Sequence, residues 1–188
     1  MPGTTSVWNL ANTVTVARIA LVPLVVLAIL ADDGGGGWRW VAGALFALAA
    51  ATDRLDGYLA RRLDQVTDWG KMVDPIADKA LIGATLVTLS ALGDVPWWIT
   101  IVVAVRELGI TAMRFAVLRY VVIPASRGGK LKTVLQSVGL GMFVVPLGTL
   151  PAFVQVTAWV VLLASVVVTV VTGVDYLRRG WAVRQGVV

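Results

Sequence analysis

Four aspartates carry the densest chemistry in this chain. Asp53 and Asp56 are three residues apart and Asp74 and Asp78 four apart, spacings that place each pair on one face of a helix. Gly57, Ala60 and Arg61 extend the first face, and Gly70 lies one turn ahead of Asp74 on the second. Small residues at such places let a neighbouring helix or a ligand approach the backbone closely. Four carboxylates gathered in one low-dielectric site cannot all ionise without a cation. Hard oxygen donors select Mg²⁺, Mn²⁺ or Ca²⁺, and four of them suit a pair of ions. The sequence has no histidine and no cysteine. A thiolate nucleophile and a Cys/His zinc site are therefore excluded, and proton transfer falls to a carboxylate, Lys, Tyr or water. The competing reading pairs the aspartates with Arg54, Arg61 and Lys79 as interfacial charges, but acids at membrane depth are costly and are usually functional. Asp64 and Asp68 read as solvated loop residues.

The elements that must hold these residues follow from composition. The chain has 188 residues, 58% hydrophobic and 14% charged, with a mean hydropathy of +0.84. A soluble domain of this size needs more polar surface than that. A soluble enzyme, a disordered chain and a disulfide scaffold are all excluded. The expectation is an all-α integral membrane protein forming a single domain over 1–188, with six transmembrane helices near 13–31, 38–63, 70–92, 96–120, 133–148 and 152–177, several close to the span of a bilayer. Residues 1–12, with Trp8 as anchor, read as a short interfacial helix. No basic leader or A-x-A site accompanies the first apolar stretch, so a cleaved signal peptide is not expected. The Gly34–Gly37 run lacks the Lys-Ser/Thr ending of a phosphate loop and reads as a turn.

Charge sets the expected orientation. Arg61, Arg62, Lys71, Arg119, Arg127, Lys130, Lys132, Arg178, Arg179 and Arg184 fall in alternate loops and the tail, and the opposite loops hold only Arg39 against Asp32, Asp33 and Asp94. The positive-inside rule places both termini and the aspartate hairpin in the cytoplasm. The net charge of +5 then serves anionic headgroups and phosphates, not nucleic acid. Trp38, Trp40, Trp97 and Trp98 cluster at the outer interface as an aromatic belt. The small residues of 42–52 read as a helix-packing face or a dimer face.

The pattern Asp53-x2-Asp56-Gly57-x2-Ala60-Arg61-x8-Gly70-x3-Asp74-x3-Asp78 resembles the complete signature of the CDP-alcohol phosphotransferase family. The resemblance implies a six-helix, dimeric membrane enzyme that transfers a phosphatidyl group from a CDP-linked lipid to an alcohol and releases CMP. It implies that Asp53, Asp56 and Asp74 bind metal, Mg²⁺ or Mn²⁺ and two ions, while Asp78 binds metal and acts as base. Gly57, Arg61 and Thr67 would contact the CDP part of CDP-diacylglycerol, with Asn12 and Thr15 also on the donor side.

A second set of residues bears on the acceptor. Asn9-Leu-Ala-Asn12-x2-Thr15-x2-Arg18, Arg106-Glu107 with Arg114, and Gly129-Lys130-Leu-Lys132-Thr133-x2-Gln136 resemble the branch of the family that uses glycerol 3-phosphate. Arg106 and Arg114 lie within about 80° on one helical face, and Lys130 and Lys132 stand at a helix start, where backbone N–H groups favour phosphate. These four form the expected acceptor-phosphate site, with the free hydroxyl directed at Asp78. Alternatives stay open: Lys130 and Lys132 as topology-setting charges, Arg106 as a salt-bridge partner of Glu107, Arg18 as a snorkelling residue. Phosphatidylglycerol or an inositol phosphate could replace the acceptor. A membrane prenyltransferase needs a second acidic motif far from the first, and a cation transporter leaves Gly57, Arg61 and the arginines unexplained. The expected location is the inner (plasma) membrane, with the active site facing the cytoplasm.

Overall fold

A computed structural model describes residues 10–62, 68–117 and 127–184, and side-chain surroundings for 13–52, 79–112 and 131–178. The described residues form helices and no strand: α1 (Leu10–Leu30), α2 (Gly37–Arg62), α3 (Asp68–Ala91), α4 (Trp97–Val117), α5 (Arg127–Val144) and α6 (Ala152–Arg184), with a short 3-10 turn at Leu147–Thr149. Helices are the local solution for such apolar stretches because each backbone donor finds its acceptor within the segment.

The turns stop the helices by identifiable means. After α1, the carboxylates of Asp32 and Asp33 accept from the backbone N–H groups of Gly34 (3.3 Å) and Gly35 (3.2 Å). Gly36 follows at φ +74°, and a Cβ there would sit 3.1 Å from Cβ of Pro146. Both conformation and close approach thus require glycine at this point. Gly93, at φ +82°, reverses the chain after α3, and the N–H of Asp94 returns to the carbonyl of Leu89 at 2.9 Å. That is the left-handed exit typical of a helix C-terminus.

α1 packs against both α2 and α3, α5 against α6, and α4 against α3 and α6. The core between them includes Val25, Ile29, Phe46, Leu86, Leu89, Ile99, Leu140 and Leu162. Small residues bring the backbones together. A Cβ on Gly139 would lie 3.1 Å from both N and Cα of Leu162, so α5 and α6 touch main chain to side-chain root. The small-residue stretch of α2 also packs inward, with Ala42 and Ala49 fully buried beside Phe46. Phe143 meets Trp159 edge to face at 4.8 Å. At the α1–α2 end of the bundle, Arg39 in the first turn of α2 is ion-paired with Asp94 in the α3–α4 turn.

Two segments, Thr13–Leu30 and Ala152–Arg178, are long and apolar enough to cross a bilayer. The outward faces of the helices are apolar as well. Leu27 on α1, Val105 and Leu108 on α4, and Phe153 and Val171 on α6 are each at least 60% exposed, a surface suited to lipid and not to water.

The helix ends differ from the sequence expectation at several places. α1 begins at Leu10, so the last three residues assigned to an interfacial helix belong to it, while residues 1–9 lie outside the described residues. α5 starts at Arg127 and not near 133, because Gly128 and Gly129 fall in a first turn whose N–H groups have no intrahelical partner anyway. α6 continues to Arg184, past the expected end at 177. Loss of apolarity marks where water begins, whereas backbone pairing continues until something breaks it.

Candidate active site

The short links after α1, α3 and the 3-10 turn make successive helices antiparallel. The N-terminal end of α1, the C-terminal end of α2 and the N-terminal end of α3 therefore gather at one end of the bundle. Asp53 and Asp56 lie in the last turns of α2, with Gly57 and Arg61 beyond them, and Asp74 and Asp78 lie in the first three turns of α3. These four aspartates, Gly57 and Arg61 are thus placed on two consecutive helices that touch. Their side chains lie outside the described surroundings, as do those of Asn12, Arg114 and Lys130, and Thr67 lies outside the described residues. Asn12 is in α1, Arg114 in α4 and Lys130 in the first turn of α5.

Thr15 and Arg18 stand one turn apart at this same end of α1. Arg18 is fully buried and Thr15 is 1% exposed, so Arg18 does not reach out to the surface as a snorkelling side chain would. Lys79, next in sequence to Asp78, crosses to α4 and donates to Thr111 Oγ1, whose own hydroxyl donates to the Glu107 carbonyl at 2.7 Å. Lys79 thereby joins α3 to α4.

The second cluster is centred on Glu107. Its Oε1 accepts from Arg106 Nη1 at 2.8 Å and from Lys132 Nζ on α5. Arg106 Nη2 also donates to Thr172 Oγ1 of α6 at 3.3 Å. The side chains are largely withdrawn from solvent, at 16%, 20% and 7% exposed for Arg106, Glu107 and Lys132. Arg106 and Lys132 bring two cationic groups with N–H donors to one place, and such donors form the strong charge-assisted hydrogen bonds that phosphate accepts. The structure therefore joins two of the four residues assigned to the acceptor, Arg106 and Lys132, and adds the Arg106–Glu107 salt bridge as part of the same cluster. Sequence reasoning saw Glu107 only as a local partner of Arg106. Its second bond, from a lysine 25 residues away, leaves no local signal.

Beside this cluster lies a cavity of about 240 Å³ between α3, α4 and α5. Its walls are chiefly apolar, from Ile82, Leu86, Val103 and Leu108, and Lys79, Glu107 and Lys132 contribute its charges. Gln136, one turn after Lys132, also lines it. A site with cationic groups beside an apolar hollow suits a ligand with an anionic head and a hydrocarbon body.

Comparison with known proteins bears on the same features. Residues 8–171 match the family model described as CDP-alcohol phosphatidyltransferase. A probable phosphatidylglycerophosphate synthase of Mycobacterium tuberculosis is 51% identical over 181 residues, covering 94% of this chain and 84% of that protein. The CDP-diacylglycerol–glycerol-3-phosphate 3-phosphatidyltransferase of Bacillus subtilis is 36% identical over 191 residues, covering 93% of this chain and 96% of the relative. The protein of that name from Rickettsia prowazekii is 34% identical over 172 residues, covering 90% and 94%. With the aspartate pattern on adjoining helix ends and a model match over most of its length, this chain belongs to the CDP-alcohol phosphatidyltransferase family.

Proposed function

We propose that this chain transfers the phosphatidyl group of CDP-diacylglycerol to glycerol 3-phosphate, giving phosphatidylglycerophosphate and CMP. The names of the relatives support this reaction. The observation that carries the acceptor is the meeting of Arg106 and Lys132 on Glu107 in a largely dry setting. Charge-assisted donors there offer a site for the acceptor's phosphate.

In the reaction so read, the acceptor hydroxyl oxygen bonds to the phosphorus that carries diacylglycerol. The bond from that phosphorus to the bridging oxygen breaks, and CMP leaves with the oxygen. Asp78 takes the hydroxyl proton, a role open to a carboxylate in a chain without histidine. Arg61 binds the CDP part, as do Gly57, Thr67, Asn12 and Thr15, while Arg114 and Lys130 extend the phosphate site of Arg106 and Lys132. Asp53, Asp56, Asp74 and Asp78 form an all-oxygen donor set on two adjoining helices, which fits Mg²⁺ or Mn²⁺. When bound, two such ions supply charge neutralisation to the pyrophosphate.

The same reading has one domain over 1–188, six spans, both termini and the aspartate end in the cytoplasm, a place in the inner (plasma) membrane and a homodimeric assembly. The apolar outward faces of α1, α4 and α6 support insertion in lipid.

The test is CMP release from CDP-diacylglycerol by purified protein with glycerol 3-phosphate, glycerol, phosphatidylglycerol or inositol phosphate as acceptor. Only glycerol 3-phosphate should support turnover, and Arg106→Ala should raise its KM with less effect on the donor. Equal use of glycerol would remove the phosphate site from this reading, and turnover with one of the other two would reassign the acceptor.

A further inference from the structure

Arg106 projects from the middle of α4, but α6 shapes its path. A Cβ built on Gly173 would fall 3.1 Å from Arg106 Cγ and 3.9 Å from its Nε. The aliphatic stem of Arg106 therefore lies directly over the bare backbone of that glycine. One residue earlier, Thr172 Oγ1 receives Arg106 Nη2 at 3.3 Å. The Thr172 hydroxyl is itself held, because it donates to the Val168 carbonyl at 2.7 Å. With its proton committed to the helix, its lone pairs are left to accept from the guanidinium.

Arg106 Nε is buried and makes no hydrogen bond among the described residues. A buried donor without a partner is unfavourable and needs a compensating reason. The seat on Gly173 supplies one: the stem is pressed against α6 so that the two terminal nitrogens can reach Glu107 on one side and Thr172 on the other. An arginine fork recognises phosphate through its direction as much as its charge.

We propose that Thr172 and Gly173 are positioning residues of the acceptor site, setting the direction of the Arg106 guanidinium and with it recognition of the acceptor's phosphate. This rests on the reading of Arg106 as an acceptor-phosphate ligand. Neither α6 residue touches substrate; both act through Arg106. A β-branched side chain at 173 displaces the stem, and loss of the hydroxyl at 172 frees one side of the fork.

The experiment is steady-state kinetics of the full-length protein with CDP-diacylglycerol and glycerol 3-phosphate, for Thr172→Val, Thr172→Ser, Gly173→Val and Arg106→Ala. Thr172→Val and Gly173→Val should each raise the KM for glycerol 3-phosphate roughly tenfold, the scale of one hydrogen bond to a charged group. The donor KM should stay unchanged. Thr172→Ser keeps the hydroxyl and should retain the parental acceptor KM, which a role confined to packing does not predict. If Gly173→Val does not fold, the near-isosteric pair at 172 decides alone. A raised acceptor KM in Arg106→Ala with none in Thr172→Val overturns the positioning role and leaves the acceptor site standing. An unchanged acceptor KM in Arg106→Ala overturns both.

Discussion

Glu107 on α4 and Lys132 on α5 are ion-paired through Glu107 Oε1, the oxygen that also accepts from Arg106 Nη1 at 2.8 Å. One carboxylate oxygen thus serves two cations from two helices. Lys132 is 6% exposed, so loss of this partner removes a compensating charge from a buried ammonium. Glu107→Ala should destabilise the protein by about 3 kcal/mol, toward the lower end of what breaking a buried pair costs because Glu107 is one-fifth exposed. The double variant Glu107→Ala/Lys132→Ala should recover part of that loss, since the buried ammonium that lost its partner is removed with it. Unfolding in mixed micelles measures these two variants and the single variant Lys132→Ala, and strict additivity would show that the two groups are uncoupled.

Gly139 offers a test of the α5–α6 contact. Its Cβ position is 3.1 Å from main-chain atoms of Leu162, and main chain cannot rotate aside as a side-chain tip can. Gly139→Ala should cost about 1–3 kcal/mol from overpacking, despite the gain in helix propensity that alanine brings. Gly83, with nothing within 4 Å of its Cβ position, is the control. Gly83→Ala should be neutral or stabilising in the same unfolding measurement.

Asp78 has a task beyond binding metal if it receives the acceptor's proton. Asp78→Asn keeps the size and one metal-capable oxygen but cannot take a proton. The expected protein folds and binds CDP-diacylglycerol with Mg²⁺, yet turns over at least about a hundredfold more slowly, the usual contribution of a placed base. Donor binding and single-turnover CMP release at saturating metal measure the two effects separately. Recovery of near-normal turnover on simply raising Mg²⁺ would reduce Asp78 to a ligand.

The orientation read from the basic loops can be checked chemically. A cysteine placed at Gly35, in the α1–α2 turn, should react with an impermeant maleimide from outside intact cells. One placed at Arg184, the last residue of α6, should react only after permeabilisation. The reverse pattern would turn the aspartate end of the bundle outward.

The sequence makes the aspartate constellation legible because helical spacing is a local property: Asp53 and Asp56 fall on α2, and Asp74 and Asp78 on α3. The order of six helices is legible for a similar reason, since apolar runs bounded by charge and glycine mark each one. Their ends are less legible. Arg178 and Arg179 signal water, yet α6 continues through them to Arg184. Contacts between distant segments leave still less trace. Lys132 reads as a loop charge or a phosphate ligand, and its pairing with Glu107 on another helix leaves no mark in the sequence. Thr172 and Gly173 are two small residues in an apolar helix, and only the course of Arg106 over them distinguishes them from packing residues.

Arg39 and Asp94 bracket the whole aspartate hairpin, separated by 55 residues of chain and joined by their ion pair. The α2–α3 pair is closed covalently at the carboxylate end and electrostatically at the other, like a ladder with a rung at each end. Between Arg39 and Asp53 the helix of α2 is continuous, a distance of about 21 Å at 1.5 Å per residue. Axial slippage of α2 along α3 would pull against the rung, and a slip of a full turn, about 5.4 Å, would break it. The relative height of the two aspartate pairs is therefore governed in part from the opposite end of the molecule. Damage to that rung would reach the carboxylates as a mechanical offset, not as an electrostatic one.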